Sequence, residues 1–157
     1  MLALFSFVVA ALSVQTAPIA IDVPVQLAKA DTVFNVFHID PKAPERQTSL
    51  FLMHILSGVL KQRKTQSHLI AIFHSGAAAL ACNDETFNRL TGSKTGNPYK
   101  ADIAQAQRDG FQTEICVKSM QFQHIAKSDL LPGIKVNGGA LIRIIELTQK
   151  GYTQFSF

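Results

Sequence analysis

The chain has no tryptophan, two tyrosines, two cysteines and few charges, and each scarcity narrows what it does. Cys82 and Cys116 are too few for the disulfide framework of a small secreted scaffold, although one bond between them stays open. The five histidines show no zinc spacing: none stands four residues from another or beside a cysteine pair, so no metal is expected. Gly138-Gly139 lacks a full phosphate-loop pattern, so packing is its default role and no cofactor is expected. The net charge is +4, but the fifteen Lys and Arg are scattered. Their one cluster, Lys61 with Arg63-Lys64, falls where a helix should end and where cations suit the helix dipole. No aromatic–basic interleaving accompanies it, and nucleic acid is not an expected partner.

What is present is apolar. Hydrophobic residues make up 47% and charged residues 17% of 157, which excludes disorder and suits one domain with a sizeable core. Leu2 to Val14 is an apolar run of signal-peptide length, too short to span a bilayer comfortably. Ala28-Lys29-Ala30 supplies a small-x-small cleavage pattern, so residues 1–30 are expected to be a signal peptide, giving a periplasmic or secreted domain of residues 31–157. No Lys or Arg precedes the run and the spacer to Gln26 is long, which leaves an uncleaved N-terminal anchor as the rival reading.

From Thr32 onward strands alternate with helices. Thr32–Ile39 and His68–His74 read as strands, the second apolar throughout, as expected of a strand covered on both faces. Asp40-Pro41 and Ala43-Pro44 break the chain after the first. A helix is expected from Thr48 or Ser49 to residues 62–64, with Leu52, Ile55, Leu56 and Val59 on one face beside Met53 and Leu60. Residues 77–81 and 84–90 read as one or two short helices. Asn97-Pro98 opens another that Gly110 stops. Phe111–Val117 is the third strand, Ser119–Ala126 a short helix and Ile134–Val136 a short strand. Asn137 caps a helix expected to turn Leu141, Ile144, Ile145 and Leu147 inward, and Tyr152–Phe157 is the last strand. Five such alternations predict an α/β fold of three layers: a mainly parallel five-stranded sheet with helices on both faces.

In such folds ligands gather beyond the carboxyl ends of the strands. Cys116 stands there, between a strand and a helix start, where backbone N–H groups and the helix dipole favour a thiolate. Lys118 is near enough to lower its pKa further. His74 ends a strand and would orient or deprotonate substrate if that strand neighbours the one carrying Cys116. His124 follows in the next helix and would face the thiol from there. Against these stand plain structural roles: a packed thiol, a hydrogen-bonded histidine, a solvated lysine. Cys82 reads as a core residue, with a resolving thiol as the alternative.

Taken in order, His74-Ser75-Gly76, Asp109 to Cys116, Ser119-Met120, Leu130-Leu131-Pro132-Gly133-Ile134-Lys135-Val136 and Gln149-Lys150-Gly151-Tyr152 resemble the DsrE/DsrF-like family of sulfur-relay proteins. The resemblance spans residues 31–157 and fits an exported branch. It implies a DsrE-like, flavodoxin-like arrangement that assembles into homotrimers or hexamers. It also implies a sulfurtransferase chemistry in which the residue at the Cys116 position accepts sulfane sulfur as a persulfide and passes it on. A non-catalytic oligomeric module of the same fold, binding a small ligand or a protein, is the second reading. Two measurements check these expectations together. Mass spectrometry should find a mature N-terminus at Asp31, and light scattering at micromolar concentration a particle larger than one chain; an intact leader or a monomer would contradict them.

Overall fold

A computed structural model describes Val23, residues 25–39 and residues 47–157. The expected leader run and the two proline breaks lie outside the described residues. The elements follow in the order β1 (Thr32–Val36), α1 (Thr48–Gln62), β2 (Leu69–Phe73), a 3-10 segment (Ser75–Ala81), α2 (Asp84–Thr91) and α3 (Lys100–Arg108). They continue through β3 (Phe111–Cys116), α4 (Val117–Phe122), β4 (Lys135–Asn137), α5 (Ala140–Gln149) and β5 (Thr153–Ser156). All five strands run parallel in one sheet of order β4-β3-β2-β1-β5. The expected α/β sheet with helices on both faces is therefore present.

Strand alternation sorts the sheet's side chains between two cores. Phe34, Val36, Ala71, Phe73, Phe111 and Ile115 face a large core closed by α1, the 3-10 segment, α2, α3 and α4. Val33, Ile70, Ile72 and Cys116 face a smaller one closed by α5, through Ala140, Ile144 and Leu147, with Tyr152 packed against it. The chain thus goes to one face after β3 and to the other after β4. That divergence is the switch point at which open parallel sheets leave a crevice.

Two helices bury only part of the face expected. In α1 Met53 and Leu60 are buried and Leu56 packs against the core as expected, joined by Leu50 and Ser57, while Leu52, Ile55 and Val59 are exposed. Both stripes have helical spacing, and the buried one includes a serine whose hydroxyl donates to the His54 carbonyl and so tolerates burial. In α5 Ile144 and Leu147 turn inward as expected, joined by Ala140, but Leu141 and Ile145 face out together with Ile142. β5 is an edge strand, exposed along its length, and its Phe155 lies over Phe34. Gly110, at φ +101, provides the left-handed turn from α3 into β3.

The C-cap of α3 is tied to α1 by Asp109, whose carboxylate accepts from Lys61 at 2.8 Å and pairs with His54 at 3.1 Å. The hydrogen bond from Lys61 leads in holding this carboxyl at about 2, against the partial opposition of burial and with help from Gln105 and His54. A depressed aspartate adds stability that is complete above its ordinary value of 3.8 and fades as pH falls towards 2. Because Lys61 and His54 are solvent-exposed, Asp109→Asn should cost only about 1 kcal/mol at pH 7. Urea unfolding should show that cost shrinking between pH 4 and pH 2; a cost that persisted undiminished in acid would contradict the ion-pair origin.

Candidate functional site

β3 ends at Cys116, and the same residue caps α4. Its register partner in β4 is Asn137, which puts the start of α5 beside the thiol. The Ala140 N–H donates to Cys116 Sγ at 3.3 Å. Burial pushes the Cys116 thiol up. The Ala140 N–H, with the N–H groups of Ser119 and Lys118 and the Ser119 hydroxyl nearby at the start of α4, outweighs that burial and leaves its pKa below the ordinary thiol value. The thiolate is thus favoured by donors from both faces of the sheet, converging at the switch point.

Cys116 is 5% exposed, and it lines a cavity of about 410 Å³. His74, Ser75, Lys118 and Ser119 line it too, with Gly138, Gly139 and Ala140 along one wall. The mouth is apolar: Phe122, Leu141 and Ile142 stand around it with most of their surface in solvent. A second hollow of about 210 Å³, against α1 and α3, has Gln47, His54 and Asp102 in its lining and no nucleophile.

Sequence reasoning named Cys116, His74, Lys118 and His124, and the first three share this cavity. β2 does neighbour β3, as the reading of His74 required. The His74 ring lies between Asn35 Oδ1, 2.7 Å from Nε2, and Ser75 Oγ, 3.1 Å from Nδ1. Asn35 Nδ2 donates to Ser156 Oγ, which aims its Oδ1 at the ring and assigns the proton to Nε2. Burial lowers the His74 pKa, so the ring is neutral and Nδ1 accepts from the Ser75 hydroxyl. Both nitrogens are engaged within the protein, and His74 reaches the cavity through Ser75. Lys118 is exposed, and its Nζ donates to Gln121 Oε1 at 3.3 Å.

His124 is not part of this cavity. α4 ends at Phe122 instead of running to Ala126, and His124 takes φ +52 beyond it, with its carbonyl accepting from Arg89. Cys82 lies in the large core, across the sheet from the small core that holds Cys116. Both cysteines are free. Burial drives the Cys82 thiol up to about 12, which fits the expected core role.

Sequence reasoning did not find the roles of Ser75 and Ser119. Ser75 adopts φ +51, a left-handed conformation unusual outside glycine. Its N–H donates to Ser119 Oγ at 2.9 Å and its carbonyl accepts from Gln123 Nε2 at 2.7 Å, so α4 holds the strained turn from both sides. Asn35, His74, Ser75 and Ser119 form one hydrogen-bonded series that ends beside Cys116. Ser75 stood in view as the polar residue of a strand-to-turn junction, but its link to Ser119 is a contact across 44 residues that local pattern does not report. Among the described residues no cluster of His, Cys, Asp and Glu is arranged to hold a metal ion, and no helix is long and apolar enough to cross a membrane.

The family described as DsrE/DsrF-like matches residues 31–157. No curated protein matches the chain. Among solved structures, a protein of unknown function from Methanobacterium thermoautotrophicum, MTH1491, superposes with a TM-score of 0.62 at 15% identity, covering 82% of this chain and 100% of its own. The ychN protein from E. coli superposes with a TM-score of 0.55 at 15% identity, covering 82% of this chain and 99% of its own. At such identity these likenesses establish the fold.

Removing the Ser119 hydroxyl takes away a donor near the sulfur, and the acceptor of the Ser75 N–H, without changing any charge. Ser119→Ala should therefore raise the Cys116 thiol pKa and slow its alkylation at pH 7 roughly fivefold, the equivalent of about 1 kcal/mol. Iodoacetamide labelling followed by peptide mass analysis reads this directly, with Cys82 unlabelled throughout. Equal rates in the two proteins would show that the hydroxyl does not support the thiolate.

Proposed function

This chain belongs to the DsrE/DsrF-like family, and from that premise we propose that it is a sulfur carrier whose Cys116 accepts sulfane sulfur as a persulfide and hands it to a partner. The observation that carries this reading is the Ala140 N–H aimed at the sulfur of a cavity-lining thiol that also stands at the start of α4. The Cys116 thiolate attacks the outer sulfur of a donor persulfide. A new S–S bond forms on Cys116 Sγ, the donor's S–S bond breaks, and its electron pair leaves with the donor thiolate, which takes a proton from solvent. An acceptor thiolate then attacks the outer sulfur and returns Cys116 to its starting state, with no net oxidation.

Two further parts of the proposal concern context. Assembly with copies of itself is supported by apolar side chains that one chain leaves in solvent, Phe122 at 84% exposure and Leu141 and Ile142 at 72%. Export to the periplasm or beyond is supported by the apolar run Leu2–Val14 and the Ala28-Lys29-Ala30 pattern.

Exposure to inorganic polysulfide should add one sulfur atom, about 32 Da, to wild type, reversibly by dithiothreitol and at Cys116. Cys116→Ser should gain nothing, since Cys82 is sealed in the core. A wild-type protein that stays at its unmodified mass would leave the chain a binding module of this fold and remove the carrier reading.

A further inference from the structure

The amide that α5 offers to Cys116 hangs on a hinge of two glycines. Gly138 and Gly139 separate Asn137, the last residue of β4, from Ala140, and Gly139 takes φ +146. Consecutive glycines have wide backbone freedom, so nothing within the hinge keeps the Ala140 N–H aimed at sulfur. Both of its ends, however, are tied to one carboxylate. Glu114 lies two residues before Cys116 on the same face of β3 and is 2% exposed. On one side Asn137 Nδ2 donates to Glu114 Oε2 at 3.1 Å, while Asn137 Oδ1 accepts the Gly139 N–H at 3.0 Å. On the other side Arg143, in the first turns of α5, forks onto both oxygens: Nη2 to Oε1 at 2.9 Å, Nε to Oε2 at 3.1 Å and to Oε1 at 3.3 Å. Gln112 Nε2 completes the shell at 2.7 Å.

A buried ion pair is a poor stabiliser, because desolvation offsets most of the attraction that apolar packing would replace without cost. What this one supplies is direction. We propose that Glu114 and Asn137 are positioning residues that brace the Gly138–Gly139 hinge from both ends and so hold the Ala140 N–H on the Cys116 sulfur. The inference rests on the reading of Cys116 as a working thiolate. The charged and titratable groups around that sulfur are Lys118 and His74 in the cavity and the Glu114–Arg143 pair on the same sheet face. Replacing Asn137 alters none of those charges, so a change in the thiol's titration reports hydrogen-bond geometry.

The test is the pH profile of Cys116 alkylation in the full chain, read by peptide mass analysis, for wild type, Asn137→Ala, Asn137→Ser and Arg143→Lys. Asn137→Ala should raise the midpoint and slow labelling at pH 7 roughly fivefold to tenfold, the loss of one hydrogen bond to a charged sulfur. Asn137→Ser should recover most of the rate, because a serine oxygen can accept the same N–H two residues on. Arg143→Lys keeps the charge but loses the fork, and should shift the midpoint in the same direction by less. A wild-type midpoint below that of free cysteine that Asn137→Ala leaves in place overturns the positioning role while the working thiolate survives. A wild-type midpoint at or above free cysteine removes both. Should circular dichroism show Asn137→Ala unfolded, Arg143→Lys decides: an unmoved midpoint there overturns the inference.

Discussion

The chemistry available to this fold depends on a few backbone N–H groups that meet at one sulfur atom. Cys116 is nearly buried, and burial alone would leave it an inert protonated thiol, as it does Cys82. The two cysteines differ in depth and in what each meets. Cys82 Sγ is fully buried, lies in the field of Asp129 and donates to the Ala78 carbonyl, whereas Cys116 Sγ, at the start of α4, receives the Ala140 N–H. Each hydrogen bond to the charged sulfur is worth about 1 kcal/mol or slightly more, so a few of them together offset the cost of burial.

The fold places those donors by topology. The β3–β4 register aligns Cys116 with Asn137, and the chain leaves the two strand ends for opposite faces of the sheet. One helix start therefore approaches the sulfur from each side, and the crevice between them is the cavity. Because α5 is the helix that covers the smaller core among the described residues, it serves at once as lid for that core and as donor to the site. Its outer face, Leu141, Ile142 and Ile145, is exposed and has no packing partner among the described residues.

Much of this was legible in the sequence, and the misses have physical causes. The all-apolar run of β2, the Gly110 stop and the strand-to-helix position of Cys116 are local signals, and each led to the right element. Helix faces were harder. α1 carries two stripes of suitable period, and the buried one contains Ser57, whose hydroxyl is satisfied by the helix's own backbone. Composition favoured the other stripe. His124 was misplaced because α4 stops at Phe122, and nothing local marks that stop as glycine or proline would. The brace at Glu114 could not be read at all: its partners Asn137 and Arg143 lie 23 and 29 residues away, across a parallel crossover that only the folded chain brings together.

The central claim is that hydrogen-bond donors hold the Cys116 thiol below its ordinary pKa in spite of burial, and the most direct measurement is an ultraviolet absorbance titration of thiolate in wild type minus Cys116→Ser. A single transition with its midpoint below the value of about 8.5 for free cysteine is the predicted result. A midpoint at or above that value would contradict it, because the amides would then fail to overcome burial.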